Sequence, residues 1–487
     1  MFTMELNTDN RIPLYQQIYE FIKTEIINGN ITSDEKLPSK RTLAKNLGIS
    51  TLTVETAYSQ LNAEGFIYSL PKKGYFASEL KMTAPVATSN PEKKSTVTNS
   101  RPAQSQPEYT INFSDSQTDP ESFPFSVWAK LLREVLNTHQ YDVMKNSPAQ
   151  GTLVLRKAIA KHLHQFRGMD VNPDQIVIGA GTEYLYTLLI QLFGFDKTYA
   201  IEDPCHKKIS KIYNSFGVKT VHIPMDEKGI LIKCLNSKKA DIVHISPSHH
   251  FPTGIIMPVT RRYELLNWAS EKSGRYLIED DYDSEFRFNG KPLPTMQSID
   301  NFERVIYMNT FTKTLSSTIR ISYMVLPKML MEEFSRKLNF YSCTVPVMDQ
   351  YTLASFIDQN YFEKHINRMR KSCGLKRDTF FSAIEKYDRK KHFSIMEGDA
   401  GLHFLLKVSQ ECLAKFTDSL ISKKIKLTSV AEYYNRPSDQ NQNMFVINYS
   451  SIPLNKIPGE CPISIGKLNL FQHLRYIQCI DSETSSE

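Results

Sequence analysis

Apolar positions spaced by three and four residues open the chain. Leu14, Ile18, Phe21, Ile22 and Ile26 predict an amphipathic helix. Pro38-Ser39 opens a second helix, with Ser39 as N-cap and Leu43, Ala44 and Leu47 facing inward, and Gly48 makes the turn. Ser50 caps a third helix whose buried stripe is Val54, Ala57, Tyr58 and Leu61, and Gly65 ends it. Two alternating runs, Phe66-Ile67-Tyr68 and Tyr75-Phe76-Ala77, flank Pro71-Lys72-Lys73-Gly74 and predict a hairpin. Helix, turn, helix and hairpin together describe a winged helix-turn-helix over residues 1–80.

From 81 to 109 large apolar residues nearly vanish in favour of Pro, Ser, Thr, Ala, Asn and Gln, which predicts a flexible linker. Coil scaling gives it a span of roughly 30 Å. Strand and helix patterns then alternate. Strands are expected at Ile176–Ile178, Tyr199–Glu202, Val218–Pro224, Ile242–Ser246, Tyr276–Asp280, Val305–Asn309 and Ile321–Leu326, with helices such as Glu183–Phe193 and Arg261–Ser273 between them. The fold class implied is multidomain α/β, with a mostly parallel central sheet in a domain spanning 110–480. Its part from about 330 to 480 reads as a smaller α+β portion containing His392–Met396, Leu402–Val408 and Phe445–Tyr449, and 481–487 is expected to be a disordered tail.

A length of 487 residues fits two or three domains rather than one core. The longest apolar stretches, such as Tyr184 to Phe195, fall well short of a membrane span, and the N-terminus has no apolar leader core. Seven scattered cysteines without CxxC spacing suit a reduced, cytoplasmic protein and give no pointer to a metal site. The net charge of +7 says little about nucleic acid, because residues 1–80 carry about as many acids as bases.

Geometry carries the DNA argument instead. The N-terminal end of a recognition helix meets base edges while nearby cations grip phosphates. Here that end is Ser50, Thr51, Thr53 and Glu55, with Lys40 and Arg41 on the preceding helix and Lys72 and Lys73 at the wing tip placed for backbone contacts. Thr51 suits a thymine methyl, and Glu55 an amino group of cytosine.

A second constellation suits a Schiff-base aldehyde cofactor, pyridoxal 5'-phosphate, which needs an amine, a ring-nitrogen partner, a phenolic-oxygen donor and a phosphate cradle. Gly179-Ala180-Gly181-Thr182 lies between a strand and a helix start, where free N–H groups favour a phosphate. Asp280 and Tyr282 are two apart at a strand end and are expected on one face, with Asp281 and Asp283 on the other. Lys313 follows the next strand between Thr310 and Thr312, and Arg320, seven residues on, can pair with the phosphate.

The N-terminal signature Leu37-Pro38-Ser39-x-Arg41-x-Leu43-Ala44 with Val54, Ala57-Tyr58, Leu61 and Glu64-Gly65-Phe66 resembles GntR regulators. Ser246 to Gly254, Glu279 to Arg287 and Thr310 to Leu315 look like fold-type I aminotransferases, and the combination resembles the GabR-like MocR subfamily of GntR regulators. That resemblance implies Lys313 as the Schiff-base lysine, Asp280 and Tyr282 at the ring, Thr310 and Arg320 at the phosphate, and a head-to-tail homodimer. His206 occupies the position of a ring-stacking aromatic, and Lys208 that of an arginine that grips an effector carboxylate; Arg436 is the candidate for a second such group. The implied function is a transcriptional regulator that binds operator DNA and senses a small amine or amino acid. Two alternatives stay open: a working aminotransferase fused to a DNA module, and a vitamin B6 biosynthesis regulator that senses the cofactor itself.

Overall fold

The computed structural model describes residues 6, 12–80, 109–114, 119–288, 293–388, 390–398, 401–436 and 441–452. The expected linker, Tyr109 apart, and the tail at 481–487 lie outside the described residues, as do Cys461 and Cys479. The chain separates into two compact units, Met1–Gln104 and Ser105–Glu487.

In the first unit the helices are Leu14–Ile27, Lys40–Leu47 and Thr51–Ala63. Both expected caps form: Ser39 Oγ accepts from the N–H of Thr42 and Ser50 Oγ from that of Thr53, each at 3.1 Å. Gly48 closes the middle helix in the left-handed conformation, φ 66°. Val54, Ala57, Tyr58 and Leu61 face a core with Ile18, Ile22 and Leu43. Strands Ile67–Leu70 and Gly74–Ala77 pair antiparallel as the wing.

The second unit is built on an eight-stranded sheet. Its spatial order is Ile176–Gly179, Ser322–Val325, Val305–Thr310, Tyr276–Asp281, Ile242–Ile245, Thr198–Asp203, Lys219–Asp226 and Gly229–Ile230. Pairings from Val305–Thr310 through Lys219–Asp226 are parallel, while Ser322–Val325 runs antiparallel to both neighbours. Most central strands are buried along their whole length, which explains why they read as apolar runs rather than alternating ones. A four-stranded sheet containing Phe393–Met396, His403–Val408 and Met444–Asn448 forms a second layer with its own apolar cluster.

The expected boundary near 330 is corrected by the packing. Leu330, Phe334 and Leu338 bury in the same cluster as the main-sheet residues Ile201, Ile278 and Met308. Leu353 and Phe356 likewise join Ile178 and Tyr307. Conversely Phe113, near the start of the unit, packs with Phe380 and Phe404 of the smaller layer. Side-chain burial, not chain order, divides the two layers. Among the described residues no helix is long and apolar enough to cross a membrane.

Candidate functional site

The carboxyl ends of the parallel strands open onto a cavity of about 290 Å³. This is where an open α/β sheet leaves a crevice, because successive strands hand their connections to opposite faces. Its lining includes Thr182, His206, Lys208, Asp280, Tyr282, Thr310, Lys313 and Arg320.

Asp280, the penultimate residue of strand Tyr276–Asp281, is buried. Its Oδ2 accepts from the Tyr186 hydroxyl at 2.6 Å and faces His244 Nε2 at 3.3 Å. His244 Nδ1 meets the Tyr213 hydroxyl at 2.9 Å, so an aromatic chain fixes one edge of the carboxylate. The other oxygen, Oδ1, is buried without a hydrogen-bond partner among the described residues. Burial and the charge of Asp280 raise the Tyr186 hydroxyl well above its ordinary pKa, so it stays a donor.

Alternation fails one residue later. The strand ends at Asp281, so the expectation that Asp283 faces away is overturned. Tyr282 and Asp283 both line the cavity, and both meet His249 Nδ1, at 3.4 and 2.8 Å. Burial opposes charge on His249, yet Asp283 outweighs it and raises the pKa. Asp281 does turn to the opposite face, where it accepts from Arg167 Nη2 and the Tyr307 hydroxyl, both at 2.7 Å. His249, Asp283 and His403 bring ligand-type atoms within 4.8 Å of one another. His403 Nε2 points at the Pro252 carbonyl at 3.2 Å, so this group is a hydrogen-bonded stack. Gly401 leaves room for it: at φ +75°, an added Cβ would sit 2.0 Å from His249.

The phosphate-cradle residues meet at the start of helix Thr182–Phe193. Gly181 has φ +91°, and a Cβ there would come within 2.4 Å of Arg320 Nη2. Arg320 Nη2 lies 3.4 Å from Glu183, whose carboxylate also holds the Lys208 ammonium. Ala180 does not line the cavity. Its N–H is taken by Thr344 Oγ1 at 3.0 Å, and that of Gly181 by the Gly179 carbonyl at 2.8 Å, because the turn closes on itself before the helix begins. Donors for an anion therefore start at Thr182. Thr310 Oγ1 caps the four-residue helix Phe311–Thr314 that carries Lys313 and accepts from Ser322 Oγ at 2.8 Å.

His206 caps helix Lys207–Ser215 through Nδ1 and lies beside Phe251, ring centroids 5.5 Å apart. Lost hydration, then the charges of Lys313 and Lys208, lower its pKa. Arg436 is not brought to this site. The N–H of Asn435 is anchored on Asp203 Oδ1 at 3.0 Å, and Arg436 lines a separate cleft with Thr220 and His222. Tyr186, Glu202, His244, His250 and His403 also line the cavity, and no local pattern singles them out.

In the first unit Ser50, Thr51 and Glu55 are exposed and Thr53 half-buried at the recognition end, with Arg41, Lys72 and Lys73 also exposed. Lys40 is less available than expected: its ammonium pairs with Glu55 Oε1 at 2.7 Å and sits 5.4 Å over the Tyr75 ring.

Comparison with known proteins sets these sites in a family. Residues 14–76 match the bacterial regulatory proteins of the gntR family, and residues 110–440 match aminotransferase class I and II. The uncharacterized HTH-type transcriptional regulator YdeL of Bacillus subtilis is 39% identical over 412 residues, 83% of this chain and 86% of the relative. The probable rhizopine catabolism regulatory protein MocR of Rhizobium meliloti is 30% identical over 414 residues, 83% and 84% of the two chains. In fold, a kynurenine aminotransferase from Pyrococcus horikoshii superposes with a TM-score of 0.63 at 23% identity, covering 76% of this chain and 92% of that one. The chain belongs to the MocR subfamily of GntR transcriptional regulators, which join a DNA-binding winged helix to an aminotransferase-like domain.

Proposed function

We propose that this regulator binds operator DNA as a head-to-tail homodimer and holds pyridoxal 5'-phosphate in the cavity through Lys313, so that a small amine or amino acid sets its DNA-binding state. Asp280 carries the reading. A buried carboxylate oxygen with no donor is costly, and a protonated ring nitrogen supplies the donor that Oδ1 lacks.

The surrounding residues then have defined tasks. Tyr186 and His244 hold the Asp280 carboxylate in place. Thr182, Thr310 and Arg320 receive the phosphate, with Arg320 exchanging its 3.4 Å contact to Glu183 for a stronger anion. Tyr282, its hydroxyl pKa raised by burial and by Asp283, Asp280 and Asp281, remains a donor to the ring's phenolic oxygen. His206 covers the ring. When bound, the cofactor would supply the chemistry of amine exchange, with Lys313 Nζ as the amine that holds its aldehyde and gives way to one from solution. Displacement of Lys313 Nζ and the new occupant would favour one domain arrangement over another, the differential affinity any such switch requires.

Borohydride reduction of protein loaded with pyridoxal 5'-phosphate, followed by peptide mapping, tests the cofactor claim. The label is expected on Lys313 and absent from Lys313→Ala; a label elsewhere would remove the claim. Gel-shift titration of operator DNA with and without amines tests the sensing claim. Operator affinity that follows the cofactor and ignores every amine supports sensing of the cofactor itself.

A further inference from the structure

The same cavity has a second half whose chemistry narrows the effector. Among the described lining residues the lysines and arginines are Lys208, Lys313 and Arg320. Lys208 and Arg320 both face Glu183 on the phosphate side, and Lys313 is the lysine assigned to the cofactor. A carboxylate leaves water only for a cation or several converging N–H donors.

The opposite wall offers a different set. Phe251 stands edge-on to Tyr433 at 5.1 Å and to His403 at 5.2 Å, forming an aromatic box. Asn448 Oδ1 accepts from the N–H and hydroxyl of Ser450, at 3.1 and 2.7 Å, which leaves its amide NH₂ as the group for a ligand. His403 Nε2 is engaged by Pro252, which leaves Nδ1 as an acceptor, and burial keeps this imidazole neutral. Asp283 also borders the cavity, but His249 compensates its charge at 2.8 Å. Val446, on the strand that carries Asn448, adds only an apolar surface.

We propose that the effector is a primary amine without a carboxylate, carrying a flat, uncharged tail that packs against the Phe251–Tyr433 pair and hydrogen-bonds Asn448. This rests on the reading of the cavity as an amine-exchange site. The nitrogen replaces Lys313; the tail is recognised by aromatic packing and one amide donor rather than by charge.

Matched pairs test it: tyramine against tyrosine and phenethylamine against phenylalanine, titrated into the cofactor-loaded full-length protein by visible absorbance and by calorimetry. Each amine is expected to act at least about tenfold below its amino acid, the factor that separates a matched from an unmatched buried polar group. Asn448→Ala is expected to weaken tyramine several-fold while leaving phenethylamine nearly unchanged. Val446→Arg, with folding checked by the cofactor trapped on Lys313, is expected to shift preference toward the amino acid. Tyrosine or phenylalanine acting at lower concentration than its amine overturns this inference but leaves amine sensing intact. Silence toward all four ligands, with cofactor still trapped on Lys313, overturns this inference and leaves amine sensing to be decided by the operator titration.

Discussion

Two ion pairs in this chain have the same length and opposite character. Arg167 meets Asp281 at 2.7 Å with side chains 2% and 1% exposed, and Lys40 meets Glu55 at 2.7 Å with side chains 25% and 49% exposed. Distance therefore does not rank them; water does. The buried pair is tied further through Tyr307 and Ser284 and fixes the residue next to Asp280. The exposed pair gains little from association and can trade partners at small cost. One region is built to hold a geometry, the other to exchange contacts when DNA arrives.

A third carboxyl group sharpens the contrast, because it is buried with no lysine or arginine paired to it among the described residues. Glu202 accepts from the N–H of Ser246 at 3.0 Å and lies 3.4 Å from His250, whose pKa burial lowers to about 3. Burial, reinforced by Asp280, pushes Glu202 up to about 8. Between the unfolded value, about 4.3, and that folded value the native chain keeps a proton that the unfolded chain has released. Stability from this group is thus complete at low pH and is lost as pH rises through the window. Glu202→Gln keeps the acceptor for Ser246 and removes the slope. Urea titrations of the cofactor-free protein are expected to show near-equal stability at pH 4 and a variant more stable by several kcal/mol at pH 8. A parallel pH dependence would mean that water reaches the group.

Arg167→Met comes next. It leaves Asp281 buried against two hydroxyls alone, and a loss of about 3–5 kcal/mol is expected in denaturant unfolding. A loss below about 1 kcal/mol would erase the distinction between the two pairs. Asp280→Asn is gentler, since the amide oxygen still accepts from Tyr186. It removes the charge that the proposed cofactor's ring nitrogen would face, and a roughly 10- to 100-fold weaker pyridoxal 5'-phosphate titration is expected.

The fold was legible where one signal sufficed. Caps at Ser39 and Ser50, the left-handed Gly48 and the stripe at Val54, Ala57, Tyr58 and Leu61 are local, and so is the apolar run of a main-sheet strand such as Ile176–Gly179. Asp280, Lys313 and Arg320, singled out by their order along the chain, do line one crevice, because strand ends converge there. What escaped depends on partners far apart in sequence. His244 and Glu202 sit in strands that read as core, and nothing local says that their side chains face a cavity. Lys208 was expected to serve an effector carboxylate, but Glu183, 25 residues away, claims its charge. Asp283 was misplaced because alternation holds only while the strand lasts, and Arg436 because the anchor on Asp203 is long-range.

The smallest expected effect probes the exposed pair. Leu52, 71% exposed at the start of the recognition helix, and Glu55 one turn on give this module an apolar tip beside an acceptor. While Lys40 holds Glu55, the carboxylate is aimed and the lysine is withheld from phosphate. Glu55→Gln keeps the size and reverses this: the side chain can pair with adenine, and Lys40 is released to the backbone. Selection from a randomised operator should therefore exchange one cytosine preference for adenine, worth about 1–3 kcal/mol at that base. The logarithmic salt dependence of binding should steepen by about one phosphate contact. An unchanged base preference with a steeper salt slope would show that Glu55 only restrains Lys40. An unchanged slope with a new base preference would show that the two residues act independently on DNA.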